Sequence, residues 1–478
     1  MILCIAYENP LLDEGAYAKF MDEKLAINSI ERFHIYDDCA EFPNTIGCRL
    51  TFAGEFDLDI ADQALRQTLE RHRLAIARVD QRQRHWVFDS SLLDTIRFEQ
   101  VSAEHVPIAV PINVATSGTA KFLWQPIQSG FKLHLVNHHA AADGLGGLQF
   151  VLDWMASYHN LRGGVPPVKL RDLDQQMMLS RNQLDLMSKS FLNQAWLQPI
   201  ALFGATKFMF RRIAHFGSDV SGADSAADPV KWLPNPTKLI NICLNQAESE
   251  TYRQLAEKHN RTINDFLLRD LFLAMHDFRK EQGIHRSGEW LRIIVPMSIR
   301  TFSDRRMPSV NRATIVQLDR SDKQLRDAAI LVDGVSRELR NIKDWRLDKT
   351  FLLALRFFSM WPGLLKRVAQ RKVCRATTIL TNLGAPFDRT KLPCRQGKIV
   401  LGGAVLEDFE LIAPLRPLTP VAFAASRYAD QLKLSMHYHP VFFSVESAEL
   451  LSICVRRQLQ QTMAAATQTI REVKVVDA

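Results

Sequence analysis

The chain has 478 residues, too many for one small domain, and is read as two domains or one large two-lobed unit. Its 47% hydrophobic and 23% charged residues are ordinary globular values, which exclude a disordered chain. A net charge of +8 is spread along the sequence without Lys/Arg blocks, zinc-finger spacing or an aromatic-basic RNA pattern; this suits a phosphorylated cofactor, an acidic carrier protein or an acidic membrane and argues against nucleic acid.

The first twenty residues fit the rest poorly, so Met21 is read as either the true start or the start of the ordered part. The opening MILCIAYENP has no basic n-region, and its apolar run is too short for a signal peptide. Residues 46–60 alternate loosely and predict a strand that ends in a turn at Gly54. Asp59 then opens a helical pattern, with Ile60, Ala64, Leu65, Leu69 and His72 roughly along one face. Short strands are expected at HWVFDS and TIRFEQV. The stretch GFKLHLVNHHA alternates as a strand ending at a histidine pair, and LGGLQFVLDWMASYHNL restores helical spacing through Leu148, Leu152, Met155 and Tyr158.

Residues 217–236 are rich in Ser, Gly, Asp, Ala and Pro and lack apolar periodicity. They read as a linker between an N-terminal unit, 1–216, and a C-terminal unit, 237–478. Beyond it, KLINICLNQ reads as a strand. RTINDFLLRDLFLAMHDFRKEQG reads as a helix, with Thr262 and Asp265 as a capping box and Ile263, Leu267, Leu271, Ala274 and Phe278 as its stripe. WLRIIVPMSIR is a strand reaching Arg300. Further strands are expected in ATIVQLD, ATTILTNLG, KIVLGGAVL and VAFAASRYADQLKLSMHY, and a last helix through SAELLSICVRRQLQQTMAAATQTI. Helix and strand recur in both halves, which predicts α/β or α+β layers.

The seven cysteines, Cys4, Cys39, Cys48, Cys243, Cys374, Cys394 and Cys454, are odd in number and show no metal-ligand spacing; reduced thiols and a cytoplasmic location are expected. No run of about eighteen apolar residues suggests a spanning helix. Two apolar stretches with basic residues, 348–372 and 196–216, are read as helices packed on the core or covering a site mouth. The sharper alternative for them is contact with a membrane surface or an acyl chain.

The chemistry concentrates in VNHHAAADGLGG, residues 136–147, at a strand-to-helix turn. An imidazole at a strand end titrates near neutrality and can take a proton from a hydroxyl or amine. Adjacent side chains on extended backbone face opposite ways, so one histidine enters a cleft while the other packs behind it. Asp143 is read as holding the turn, Gly144 as permitting it and baring an amide, and the three alanines as keeping the passage open. The plain alternative is a surface histidine pair in a loop, or an adventitious metal site. His134, Ser435, His437 and His439 are read as packed or hydrogen-bonded core residues.

HHAAADG resembles the HHxxxDG motif of the chloramphenicol-acetyltransferase-like acyltransferase superfamily. Its members include condensation domains of peptide synthetases, wax-ester synthases and alcohol acetyltransferases. The resemblance runs from about Ile27 onward. INSIERFHIYDD resembles the family's opening strand, and FDLDIADQALRQTLERHRLAIARV its first long helix. The family's Arg-His-Pro-Leu-Leu-Arg pattern is matched by Arg71, His72, Arg73, Leu74, Ala75, Ile76, Ala77 and Arg78. TINDFLLRDLFLAM, VPMSIRTF, VNRATIV and TNLG resemble segments of the second lobe. Val310 stands where the family has glycine before Asn311, no proline follows in TNLG, and the plant-type Asp-Phe-Gly-Trp-Gly motif is absent.

This resemblance implies two similar lobes, a pseudo-dimer around an interlobe tunnel. His139 is implied as the general base and Asp143 as a structural partner of Arg300. His138, Asn311, Thr381 and Asn382 are supporting residues, with amides near Gly144 and polar groups near Thr381 and Asn382 steadying an oxyanion. The implied reaction is acyl transfer from acyl-CoA or an acidic acyl or peptidyl carrier protein to an alcohol or amine, with no permanently bound cofactor and no metal. The alternatives are a free-standing amide-forming condensation domain and a non-catalytic carrier- or lipid-binding member of the fold.

Overall fold

Capping and alternation set the first elements. The computed structural model describes residues 24–102, 107–184, 211–216, 237–371 and 373–476; the expected linker at 217–236 and residues 196–210 of the second apolar stretch lie outside them. Strand β1 (Lys24–Ala26) is followed by helix α1 (Ser29–Asp37), where the family likeness implied a strand. The helix forms because Asn28 accepts from the Glu31 amide while the Glu31 carboxylate accepts from the Asn28 amide, a reciprocal cap. β2 (Thr45–Ala53) ends at Gly54, whose φ of +114° needs glycine.

α2 (Leu58–Arg71) is capped by Asp57 and stops at His72; the helical reading beyond that point gives way to a 3-10 turn, Arg73–Ile76, and then to β3 (Ala77–Val79), while β4 (His85–Phe88) is the strand expected at HWVFDS. A single turn, α3 (Leu92–Thr95), leads to β5 (Phe98–Gln100), β6 (Ala120–Ile127), β7 (Gly130–His138) and α4 (Gly144–Leu161).

The second half contains β8 (Lys238–Cys243), α5 (Gln246–Lys258) and α6 (Ile263–Glu281), the last carrying the expected Thr262–Asp265 box. β9 (Trp290–Ser298) and β10 (Ala313–Ser321) precede α7 (Ala328–Asp344), α8 (Thr350–Ser359) and α9 (Leu364–Ala369). Then come β11 (Thr378–Asn382), β12 (Cys394–Arg395), β13 (Lys398–Leu401), β14 (Ala404–Ile412), β15 (Val421–Tyr428), β16 (Gln431–Tyr438) and α10 (Val445–Val476). β15 and β16 are one hairpin whose turn residues, Ala429 and Asp430, both have positive φ, as a tight hairpin requires.

Among the described residues the strands form three sheets. A small one is ordered β1-β4-β3. One sheet of the second half is ordered β10-β9-β11-β15-β16-β8, and a mixed one β12-β13-β14-β2-β7-β6-β5. The mixed sheet joins both halves of the chain, because β14 pairs antiparallel with β2, Val405 opposite Ala53 and Ile412 opposite Gly47. The division into 1–216 and 237–478 is therefore not the division of the sheets: 394–412 belong with the first half. Leu65, Leu69 and Trp154 of α2 and α4 pack on this sheet against Phe122 and Leu133. Phe272 and Met275 of α6 with Leu451 of α10 cover the other sheet at Phe423 and Met436.

In the described part of the apolar stretch, 348–371, α8 and α9 pack on the core as expected. Leu352, Leu355, Leu365 and Ala369 bury against Ile30 and Phe33 of α1, while the turn between α8 and α9 leaves Phe357, Met360 and Trp361 exposed. No helix of the described residues is long and apolar enough to cross a membrane.

Candidate active site

β7 ends at His138 and the chain turns through His139 to Asp143 before α4 begins. The two rings part as the extended geometry requires. His138 is fully buried; its Nδ1 accepts from the Ala140 amide at 3.2 Å, and its Nε2 lies 3.7 Å from Asp38 Oδ2. His139 is half-buried and is held from both halves of the chain. Its amide donates to Asn44 O at 2.8 Å, and its carbonyl accepts from Asn311 Nδ2 at 2.7 Å. The same Nδ2 lies 3.5 Å from His139 Nδ1.

Burial lowers the His139 pKa, and the neighbouring His138 adds to this; backbone carbonyls and the Asp143 charge push the other way without reversing it. The imidazole is therefore neutral at neutral pH, the form a base needs.

A third imidazole completes the group. His34, on α1, stacks on His139 with centroids 4.1 Å apart and 18° between the planes. Burial holds its pKa well down, helped by His139 and Arg416. Asn44 ties the pair together: its Nδ2 reaches His34 O and Nδ1, both at 3.2 Å, while its carbonyl takes the His139 amide. Sequence reasoning passed over His34 because nothing local links α1 to the turn.

Asp143 does two jobs. It caps α4, with Oδ1 accepting from the Gly146 amide at 2.7 Å. Its Oδ2 accepts from Arg300 Nη1 at 2.5 Å and from the Arg312 amide at 2.7 Å. Burial alone would raise its pKa; Arg300 and these amides overcome that and hold it below the usual carboxylate value. The expected Asp143–Arg300 pair is thus present, and it crosses between the halves. Arg300 also donates to Val310 O at 2.7 Å.

Of the glycines in the first turn of α4, Gly146 is the most tightly constrained. Gly144 does not have a left-handed φ, and a Cβ there would meet only Leu383 Cδ2 at 3.2 Å. At Gly146 a Cβ would fall 2.6 Å from Val310 O. The helix start therefore presses against the backbone before Asn311, and Val310 itself has no positive φ to require the family's glycine. The three alanines do not line an open passage. Ala140, Ala141 and Ala142 are buried, the first two against Trp86, Met307 and Val310, so small size serves close packing.

His72 adds a second tie. Its Nδ1 accepts from the Ser309 amide at 2.9 Å and its Nε2 faces Asp153 Oδ2 at 3.2 Å, an oxygen that Arg71 also holds. Thr381 and Asn382 end β11. Asn382 accepts from the Gly384 amide at 2.8 Å and donates to Asn264 Oδ1 at 3.3 Å, and Leu383 abuts Gly144. A small apolar cavity beside the turn is lined by Gly144, Gly147, Leu148, Leu383, Phe409 and Leu411, among others. His134, Ser435, His437 and His439 are buried. Burial pushes the pKa values of His437 and His439 down to about 4; His437 Nδ1 lies 2.7 Å from Ala413 O, whereas its Nε2 is buried with no hydrogen-bond partner.

The fold is that of the condensation domains of nonribosomal peptide synthetases. The chain superposes on the first condensation domain of the calcium-dependent antibiotic synthetase, in complex with a substrate analogue, with a TM-score of 0.65 at 14% identity over 92% of this chain and 96% of that one. It superposes on polyketide synthase associated protein 5 from Mycobacterium tuberculosis with a TM-score of 0.61 at 13% identity, over 92% and 99%. A mutant of the starter condensation domain of rhizomide synthetase, in complex with C8-CoA and Leu-SNAC, matches with a TM-score of 0.61 at 14% identity, over 94% and 96%. No family description matches the sequence, and no curated protein does.

Proposed function

We propose that the protein is an acyltransferase that moves an acyl group from a CoA or carrier-protein thioester to a hydroxyl or amine. The observation that carries this reading is His139: a half-buried imidazole kept neutral by its surroundings and fixed by Asn44 on one side and Asn311 on the other. In this reading its free electron pair takes the acceptor's proton as that oxygen or nitrogen attacks the thioester carbonyl. The tetrahedral intermediate collapses, the carbon–sulfur bond breaks, and the imidazolium returns its proton to the leaving thiolate.

Helix starts leave amides without intrahelical partners, so the first amides of α4, at Gly144 and Leu145, support the oxyanion role, with Thr381 and Asn382 at the neighbouring strand end. An interlobe tunnel that takes the acyl part and reaches His139 belongs to the same reading. An amine acceptor, giving an amide, is favoured by the condensation-domain neighbours; the rhizomide domain in complex with C8-CoA favours a CoA donor.

The test is thiol release from a panel of acyl-CoAs and acyl carrier proteins, with and without alcohols and amines, the products being read by mass spectrometry. Acceptor-dependent release that disappears in His139→Ala supports the reading. Binding of an acyl donor without release under any pairing would instead make the protein a non-catalytic binder.

A further inference from the structure

A second cluster of imidazole and carboxylate groups lies on the other sheet's side. His276 sits on the last turns of α6, His285 just past its end, and Asp322 opens the short 3-10 turn Asp322–Leu325 after β10. One ligand atom from each lies within 4.8 Å of the others. His285 Nε2 is 3.0 Å from Asp322 Oδ1, and His276 Nδ1 is 3.8 Å from the same oxygen. The rings stand edge to face, 5.3 Å between centroids and 85° between planes.

Hydrogen bonding does not account for this convergence. The 3.8 Å contact is too long, and His285 Nε2, although buried and near the carboxylate, has no hydrogen-bond partner. Zinc takes imidazole nitrogen at about 2.0–2.1 Å and carboxylate oxygen at about 2.0–2.2 Å, so ligand atoms around a tetrahedral ion stand roughly 3.4 Å apart. The two measured spacings bracket that value.

We propose that His276, His285 and Asp322 form a zinc-binding site with a water in the fourth position. Two imidazoles and one carboxylate suit zinc, whereas magnesium prefers oxygen ligands. Arg279 interacts with the Asp322 charge, but its direct ion pair is with Glu289 at 2.5 Å. The Asp322 and His285 side chains are partly exposed, although the His285 Nε2 atom itself is buried. Bound zinc would clamp the end of α6 to the turn after β10.

The test uses the full chain stripped with a chelator and titrated with zinc chloride against a chromophoric zinc chelator. One tight equivalent is expected. It should be weakened more than tenfold in His285→Ala and in Asp322→Asn, and should persist in His34→Ala/His139→Ala, which removes the stacked imidazoles of the candidate active site. Cobalt substitution should give a d–d spectrum without a thiolate charge-transfer band, which separates this site from the cysteines. Zinc should raise the melting temperature of the wild type but not of Asp322→Asn, a near-isosteric change that keeps the fold. No tight equivalent in the wild type, unchanged affinity in Asp322→Asn and His285→Ala, or a thiolate band in the cobalt spectrum would overturn the proposal.

Discussion

The ring of His34 lies nearly parallel to that of His139, 4.1 Å away, and Asn44 hydrogen-bonds to both residues. The contact fixes the plane of His139 and keeps water from one of its faces, which makes His34 a positioning residue. His34→Ala should lower kcat about 10- to 100-fold with little change in KM. It should also move the acid limb of the pH–rate profile upward, because water beside His139 relaxes the burial that lowers its pKa. His34→Phe should restore part of the rate by restoring a flat neighbour. Loss of folded protein with an unshifted acid limb in what remains would reduce His34 to a structural role.

The two adjacent histidines should separate in function. His139→Ala should cost about 10² to 10⁴ in rate and leave the melting temperature nearly unchanged. His138→Ala removes a fully buried ring and should cost about 2 kcal/mol of stability with a smaller loss of turnover. In the wild type the acid limb should fall below 6.5, since activity needs neutral His139 and burial favours that form. A stable His138→Ala without turnover, beside an active His139→Ala, would reverse the assignment.

Asp143 and Arg300 should behave as a coupled pair. Breaking a buried pair on one side typically costs about 3–5 kcal/mol, so Asp143→Asn should lose both stability and rate. The double variant with Arg300→Gln should lose less than the sum of the single changes. The folded-state pKa of Asp143 is depressed, so its contribution is present above the ordinary carboxylate pKa and is lost as pH falls through the depressed value. The gap in melting temperature between wild type and Asp143→Asn should therefore be widest near neutrality and close in acid. Full stability with abolished chemistry in Asp143→Asn would indicate direct participation instead.

Glycines 144 and 146 make a contrasting pair. Alanine normally stabilises a helix by about 1 kcal/mol over glycine. At Gly146 that gain should be outweighed, because the new methyl would press on the Val310 carbonyl; at Gly144 the obstacle is a movable leucine methyl. Thermal melts of Gly146→Ala and Gly144→Ala should show a clear loss only for the former, and equal melting would contradict the close approach described here.

What could be read from sequence was local and periodic. HHAAADG lies at a strand-to-helix turn because alternation stops at His138 and helical spacing starts at Gly144. Thr262 and Asp265 mark a helix start through side chains three residues apart. The pairing of Asp143 with Arg300 came from family likeness and not from spacing. Misread segments failed for physical reasons. Ser29–Asp37 carries a weak apolar stripe, so the Asn28–Glu31 cap decides its helix, and α5, which is similarly polar and similarly capped, was passed over. β6 was missed where Pro126 interrupts its pattern. The stacking of His34 on His139, the burial of the alanines and the place of 394–412 are tertiary facts with no local mark.

The pairing of β14 with β2 also bears on how the chain comes to be folded. Until Ala404–Ile412 has been synthesised, β2 exposes an unpaired edge, and closing the pair joins residues at nearly opposite ends of the sequence. The sheet beneath the histidine turn can be completed only after Ile412 has been made. A ribosome stalled between the halves would carry an aggregation-prone intermediate instead of a finished domain.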